Sequence, residues 1–325
     1  MMDCVPLSFQ EKTRLVLACV VAVLVLDTVG WHAAGPVDPD MAVTLVLRES
    51  GMMSAWIIVG LLVAVSSAVG TAIAGRRLPE AGLFAAGVGL IGLALRGGGM
   101  QVLLGYYPAD SEAARSTLMR HLVMDSLLWA AVLFGAWFVS WTVWRWLWAG
   151  SLVNSVGSDN GSLTSVTAGG GSLSGKPTVA TVDQASPWSG WPALLVTAMV
   201  GAIFIWLTIA RSPVAAIARG QVIASVAGGL FFGAMTARYF TGINQSHWYV
   251  LAALAVALIG YLLGYLRADM AWATNYKYYT QLATTPPHEL VRPLPIEYLG
   301  VGVAGALLGF WASAKVEQAV ESTQV

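Results

Sequence analysis

Long apolar stretches separated by short polar turns set the plan of this chain. Apolar segments fall at about 13–33, 54–75, 81–106, 119–148, 191–211, 214–239, 247–267 and 296–313. Each comes close to the roughly 20 residues a helix needs to cross the hydrocarbon core of a bilayer. The pattern therefore predicts an all-α, polytopic integral membrane protein with about eight transmembrane helices. Polar positions cluster between them. Gly35-Pro36 to Asp40 reads as a turn-rich external connection, and Leu78-Pro79-Glu80 as a tight turn. Tyr106-Tyr107-Pro108 closes the third segment. The fourth ends in Trp137, Trp141, Trp144, Trp146 and Trp148 around Arg145, which reads as an interfacial aromatic belt.

Residues 150–188 break this rhythm. Ser, Gly, Thr, Asn and Asp dominate them, the composition of a flexible linker. The expected organisation is a first bundle of about four helices at 1–149, the linker, and a second bundle of about four at 189–325. Within the second, 268–295 is polar, aromatic and proline-rich. Trp272, Tyr276, Tyr278 and Tyr279 suit a segment lying at the membrane surface.

The first apolar run needs a closer look. Its core, Leu15 to Leu26, is short enough to suggest a cleaved signal peptide. No A-x-A site follows, and Asp27 stands where one would be, so an uncleaved first helix is expected. Lysines and arginines divide evenly between the two sides. Lys12, Arg14 and the Arg76-Arg77 pair tip the amino terminus inward. The expected location is a bacterial inner (cytoplasmic) membrane.

Composition sharpens this reading. The chain is 57% hydrophobic and 10% charged, against roughly 45–50% and about 25% for soluble domains. Net charge is zero, which argues against nucleic acid as a partner and leaves the lipid bilayer, with room for partner membrane subunits. Glycine and tryptophan, at 35 and 14 residues, suit close helix contact and interfacial anchoring. Cys4 and Cys19 offer neither a disulfide framework nor a metal site. No cofactor is expected.

Candidate chemistry concentrates in one stretch. Arg96, Gly97, Gly98 and Gly99 lie deep in the third apolar segment. A mid-membrane arginine costs about 2.5–3.5 kcal/mol on insertion scales, and each helical glycine roughly 1 kcal/mol against alanine. Such a stretch needs a partner or a packing reason. Asp125, in the next helix, is the expected ion-pair partner of Arg96. The pair reads either as a ligand or proton site at a glycine break, or as a structural bridge, with the arginine snorkelling and the glycines admitting a neighbouring helix.

Other polar residues carry less. Asp27 and His32 read as an interfacial pair. His121 and His247 begin helices rather than lying at the depth haem ligation needs, and His288 reads as a solvated loop residue. Helices two to four and five to seven share a rough plan, with Arg96 against Arg238 and His121 against His247. That is the form of inverted repeats found in some transporters. Gly170 to Lys176 has the spacing of a phosphate loop, but Pro177 replaces the magnesium-binding Ser or Thr, and the stretch is linker. No H-E-x-x-H, G-x-S-x-G or Cys-x-x-Cys occurs, so an enzyme is unsupported. The functional expectation is an integral membrane protein without a visible catalytic site, in a structural or accessory role. The alternative is a small secondary transporter or channel using Arg96, the Gly97–Gly99 break and Asp125.

Overall fold

A computed structural model of the chain describes residues 8–36, 38–47, 52–75, 78–107, 111–159, 190–209, 215–266 and 288–323. The described chain is all-helical. Ser8 starts α1 (Phe9–Val25) with a capping box: its hydroxyl accepts the Glu11 N–H and the Glu11 carboxylate accepts the Ser8 N–H. A π-turn, Leu26–Gly30, carries the helix on into α2 (Trp31–Ala34). There follow α3 (Met52–Ala74), α4 (Ala81–Arg96), α5 (Met100–Tyr106), α6 (Glu112–Asp159), α7 (Trp191–Thr208), α8 (Ala215–Thr241), α9 (Ser246–Leu266) and α10 (Pro295–Thr323).

Seven helical stretches among the described residues are long and apolar enough to cross a membrane. The expected third crossing is the exception. Its residues form two short helices, α4 and α5, separated at Gly97–Gly99. At the expected linker, α6 runs through 150–159, and residues 160–188 lie outside those described.

The outer faces identify the solvent. Val16, Leu17, Val20 and Leu24 on α1, Ile57, Leu61 and Val65 on α3, and Leu195, Met199 and Ile203 on α7 are all exposed. Their three- and four-residue spacing makes continuous apolar stripes pointing outward, which suit lipid and would aggregate in water. This is an integral membrane architecture.

The two halves of the chain pack against one another. α10 lies innermost, with 83% of its apolar window buried against 22–44% for the other six crossings. It packs on α8 and α9 of its own half and on α4 and α6 of the other. Small residues permit this. An added Cβ at Gly300 would sit 3.1 Å from the Gly87 carbonyl oxygen of α4, and one at Gly305 or Gly309 would strike the Ala227 or Phe231 carbonyl of α8. Close backbone approach replaces the hydrophobic drive that lipid cannot supply.

Helices α6 and α9 run antiparallel: Arg120 donates to the Tyr265 hydroxyl at one end, while Trp137 meets His247 at the other. At the amino end of α10, residues 288–294 turn inward against α9 rather than lying on the surface. Leu290, Val291 and Leu294 are buried there. The Tyr261 and Tyr298 hydroxyls donate to the Pro293 and Leu290 carbonyls, at 2.6 and 2.9 Å, which satisfies the irregular backbone. The rest of the expected surface segment, 268–287, lies outside the described residues.

Candidate functional site at the interrupted helix

Irregular backbone inside a membrane protein must find its hydrogen bonds within the protein. Three such stretches meet near one end of the bundle. The first is the Gly97–Gly99 interruption, where Gly97 and Gly99 are both extended. The second is the connection from α2 to α3, which folds inward instead of staying outside. Ala42, Val43, Thr44 and Leu45 are buried. The third is the turn at 288–294.

The first two stretches pair like a fragment of sheet. The Gly98 N–H donates to the Met41 carbonyl at 2.8 Å, forming an isolated parallel bridge between Ala42 and Gly98. Two of the glycines are needed for this approach. A Cβ at Gly97 would stand 2.9 Å from the Met41 oxygen, and one at Gly98 would run into the Asp40 carbonyl. A Cβ at Gly99 would meet nothing within 4 Å.

Asp125 sets the depth of the inward connection. One carboxylate oxygen accepts the Leu45 N–H at 2.7 Å and the Val46 N–H at 3.2 Å. The other accepts the Trp129 indole N–H at 3.2 Å. The residue is 1% exposed. Backbone donors and an indole thus occupy the carboxylate that the sequence pairs with Arg96.

Arg96 turns elsewhere. Its guanidinium donates to the Asp27 carbonyl at 2.6 Å, lies 3.7 Å from the Asp27 carboxylate and stands 5.1 Å over the Trp31 ring. The ion pair of Arg96 is with Asp27 in the π-turn, and both side chains are about 40% exposed. The reason is geometric. Arg96 ends α4 on the side that faces α1 and α2, whereas Asp125 faces the inward connection.

A different arginine serves the break. Arg219 of α8 donates from its two terminal nitrogens to the Ala94 and Gly97 carbonyls. These belong to the last turn of α4, where carbonyls lose their helical partners and the helix dipole is negative. Arg219 in turn lies 3.6 Å from the carboxylate of Glu297, which is 2% exposed at its side chain. Glu297 also accepts the Leu294 N–H at 2.8 Å, half of a capping box at the start of α10. One pair of side chains therefore closes the end of α4 and the start of α10.

The opposite end of the bundle holds a second polar group, centred on a carboxylate in the turn between α3 and α4. Glu80, in the turn before α4, accepts from the Ser246 hydroxyl at 3.0 Å and from Trp311, with Arg238 nearby. Burial pushes its carboxyl above the usual range despite these partners. Arg238 donates to the Phe310 carbonyl and to Asn244. Back at the end of the break, His288 opens the 288–294 turn, is stacked on Trp206 with 6.0 Å between ring centres, and is largely buried rather than solvated.

Of the residues singled out in the sequence, Gly97, Gly98 and Asp125 meet at the junction. Gly99 joins them by chain continuity, and Arg96 stands beside it on the outer face. Arg219 and Glu297 complete the junction, and both meet the criterion that singles out Arg96, a charge within an apolar segment. Leu294-Pro295 followed by Glu297 is also a helix-start pattern. No group of metal-ligating side chains occurs among the described residues. The chain matches no family model, no curated protein and no solved structure.

Proposed function

We propose that this is an integral membrane protein with a structural or accessory role, without a visible catalytic site, crossing the bilayer eight times if α4 and α5 count as one interrupted crossing. The observation that carries this reading is that the chain's own groups hold the backbone around the break. The Ala94 and Gly97 carbonyls receive Arg219, Gly98 donates to Met41, and Asp125 accepts three donors. A solute at the Gly97–Gly99 break would have to displace each of these. The break then serves to admit the inward connection and to lock α4, α6, α8 and α10 in register.

Transport is the second reading, and one observation favours it. The Glu297 oxygen facing Arg219 is buried and makes no hydrogen bond, only the longer ion-pair contact. Buried ionisable groups in a membrane are where solute and proton paths are built.

Thiol accessibility separates the two readings. With Cys4 and Cys19 changed to serine, Thr44→Cys is challenged in intact membranes with a charged thiol reagent, and Asn160→Cys is the control. A locked junction leaves position 44 unlabelled while position 160 reacts. Rapid reaction at 44 means that water reaches the junction, and it replaces the structural reading with transport.

A further inference from the structure

A groove runs along the bundle between α6 and α9, and it reaches α4 only at Leu83, in the first turn of that helix and away from the Gly97–Gly99 break. Its walls are Phe134 and Trp137 on one side and Val250 and Leu254 on the other, and Leu83 and Val303 form its floor. It encloses about 440 Å³ counting its open mouth. Phe134 is 39% exposed, and its partners across the groove are half-buried, so the opening faces outward between two membrane-crossing helices. In a bilayer, what lies against that opening is lipid.

The groove is polar at one end only. Ser246 and His247, the first two residues of α9, line it there. Ser246 is committed to Glu80. The His247 ring lies 5.9 Å from the Trp137 ring and 5.2 Å from that of Trp248, yet its nitrogens have no hydrogen-bond partner among the described residues. From there to Leu254 the lining is apolar, over seven residues of helix or about 10 Å. An apolar channel that starts at the edge of a crossing, with a half-buried imidazole flanked by indoles, has the polarity profile of a lipid. Tryptophan and histidine sit where a headgroup meets its chains.

We propose that this groove is a binding site for one acyl chain of a membrane phospholipid, held at its glycerol-ester end by His247. The chain fills the space beside Leu83 and Val303, which otherwise loses its dispersion contacts. An ester carbonyl accepts the His247 N–H. The polar head stays outside, beside Trp137 and Trp248. The site is independent of the junction at Gly97–Gly99.

The test is photolabelling of the full chain in phosphatidylcholine vesicles that contain phosphatidylcholine with a diazirine on one acyl chain. Adducts are expected to concentrate on 130–137 and 247–254, above the level on the exposed faces of α1 and α7. His247→Ala lowers that excess about fivefold, the size of one hydrogen bond. Ala130→Phe and Leu254→Trp, which fill the groove, remove it. Labelling at 130–137 and 247–254 no higher than on α1 overturns the proposal, as does an excess unchanged in His247→Ala. An isoprenoid quinone that abolishes the excess while added unlabelled phosphatidylcholine does not would also overturn it. The wild-type map and His247→Ala decide the matter even if a filled variant fails to fold.

Discussion

Two arginines flank the same break in α4, and their surroundings differ in almost every respect. Arg96 belongs to the break by sequence. It reaches outward to Asp27 and Trp31, and both members of its ion pair are about 40% exposed. Arg219 is more than a hundred residues away along the chain. It reaches inward, its side chain is 15% exposed, and it holds the carbonyls that the break leaves without helical partners. The lesson concerns where a charge does its work. An exposed pair trades weak attraction against lost side-chain freedom. The inner guanidinium commits its terminal nitrogens to two backbone carbonyls, and so fixes the geometry around it.

The largest effect is expected from removing the inner arginine. Arg219→Leu leaves Glu297 buried without its cation and the end of α4 uncapped. Breaking such a buried pair costs about 3–5 kcal/mol. The variant is expected to lose most of its folded yield, or to melt far below the wild type in detergent. Adding Glu297→Gln should recover much of the loss, because glutamine still accepts the Leu294 N–H but carries no charge. A double variant no better than Arg219→Leu alone would show that the carbonyl contacts, rather than the ion pair, hold the junction.

The glycines sharpen the comparison at intermediate size. Gly98→Ala must push its methyl into the Asp40 carbonyl, an overpacking expected to cost about 1–3 kcal/mol. Gly99→Ala meets open space and an extended backbone that alanine also adopts. It should melt within about 0.5 kcal/mol of the wild type, as substitutions away from packed features do. Equal losses at 98 and 99 would mean that the bridge to Ala42 is not what the glycines serve.

These residues also mark the limit of what the sequence made legible. The membrane class followed from apolar runs of the right length, because the bilayer imposes that length on each helix separately. The interruption at 97–99 was visible as a run of glycines. Its filling was not. Nothing local to residues 38–47 announces that they fold inward, since Asp38 and Asp40 look like a surface turn. Two distant partners turn them into a buried connection: Asp125, by accepting the Leu45 and Val46 N–H groups, and Gly98, by bridging to Ala42. The structure pairs Arg96 with Asp27 instead, because the carboxylate in the next apolar segment, Asp125, already has backbone donors in space. Asp125→Asn tests this. One amide oxygen can still serve Leu45, but the amide nitrogen then faces the Trp129 N–H and strands a buried donor. The expected cost is about 1–3 kcal/mol, measured as a fall in melting temperature.

The smallest effect is expected at the outer arginine. Arg96→Gln removes a pair whose members are both well exposed, which is worth about 0–1 kcal/mol. The contact over Trp31 adds about 0.5–1 kcal/mol at an exposed site. Glutamine keeps a donor for the Asp27 carbonyl, so part of even that sum survives. The variant should therefore melt close to the wild type, and Thr44→Cys in its background should stay as inert to thiol reagent as in the parent. A large loss of stability would place Arg96 among the groups that hold the break. The contrast between the two arginines would then collapse, because the outer one would be sharing the work that the geometry gives to Arg219.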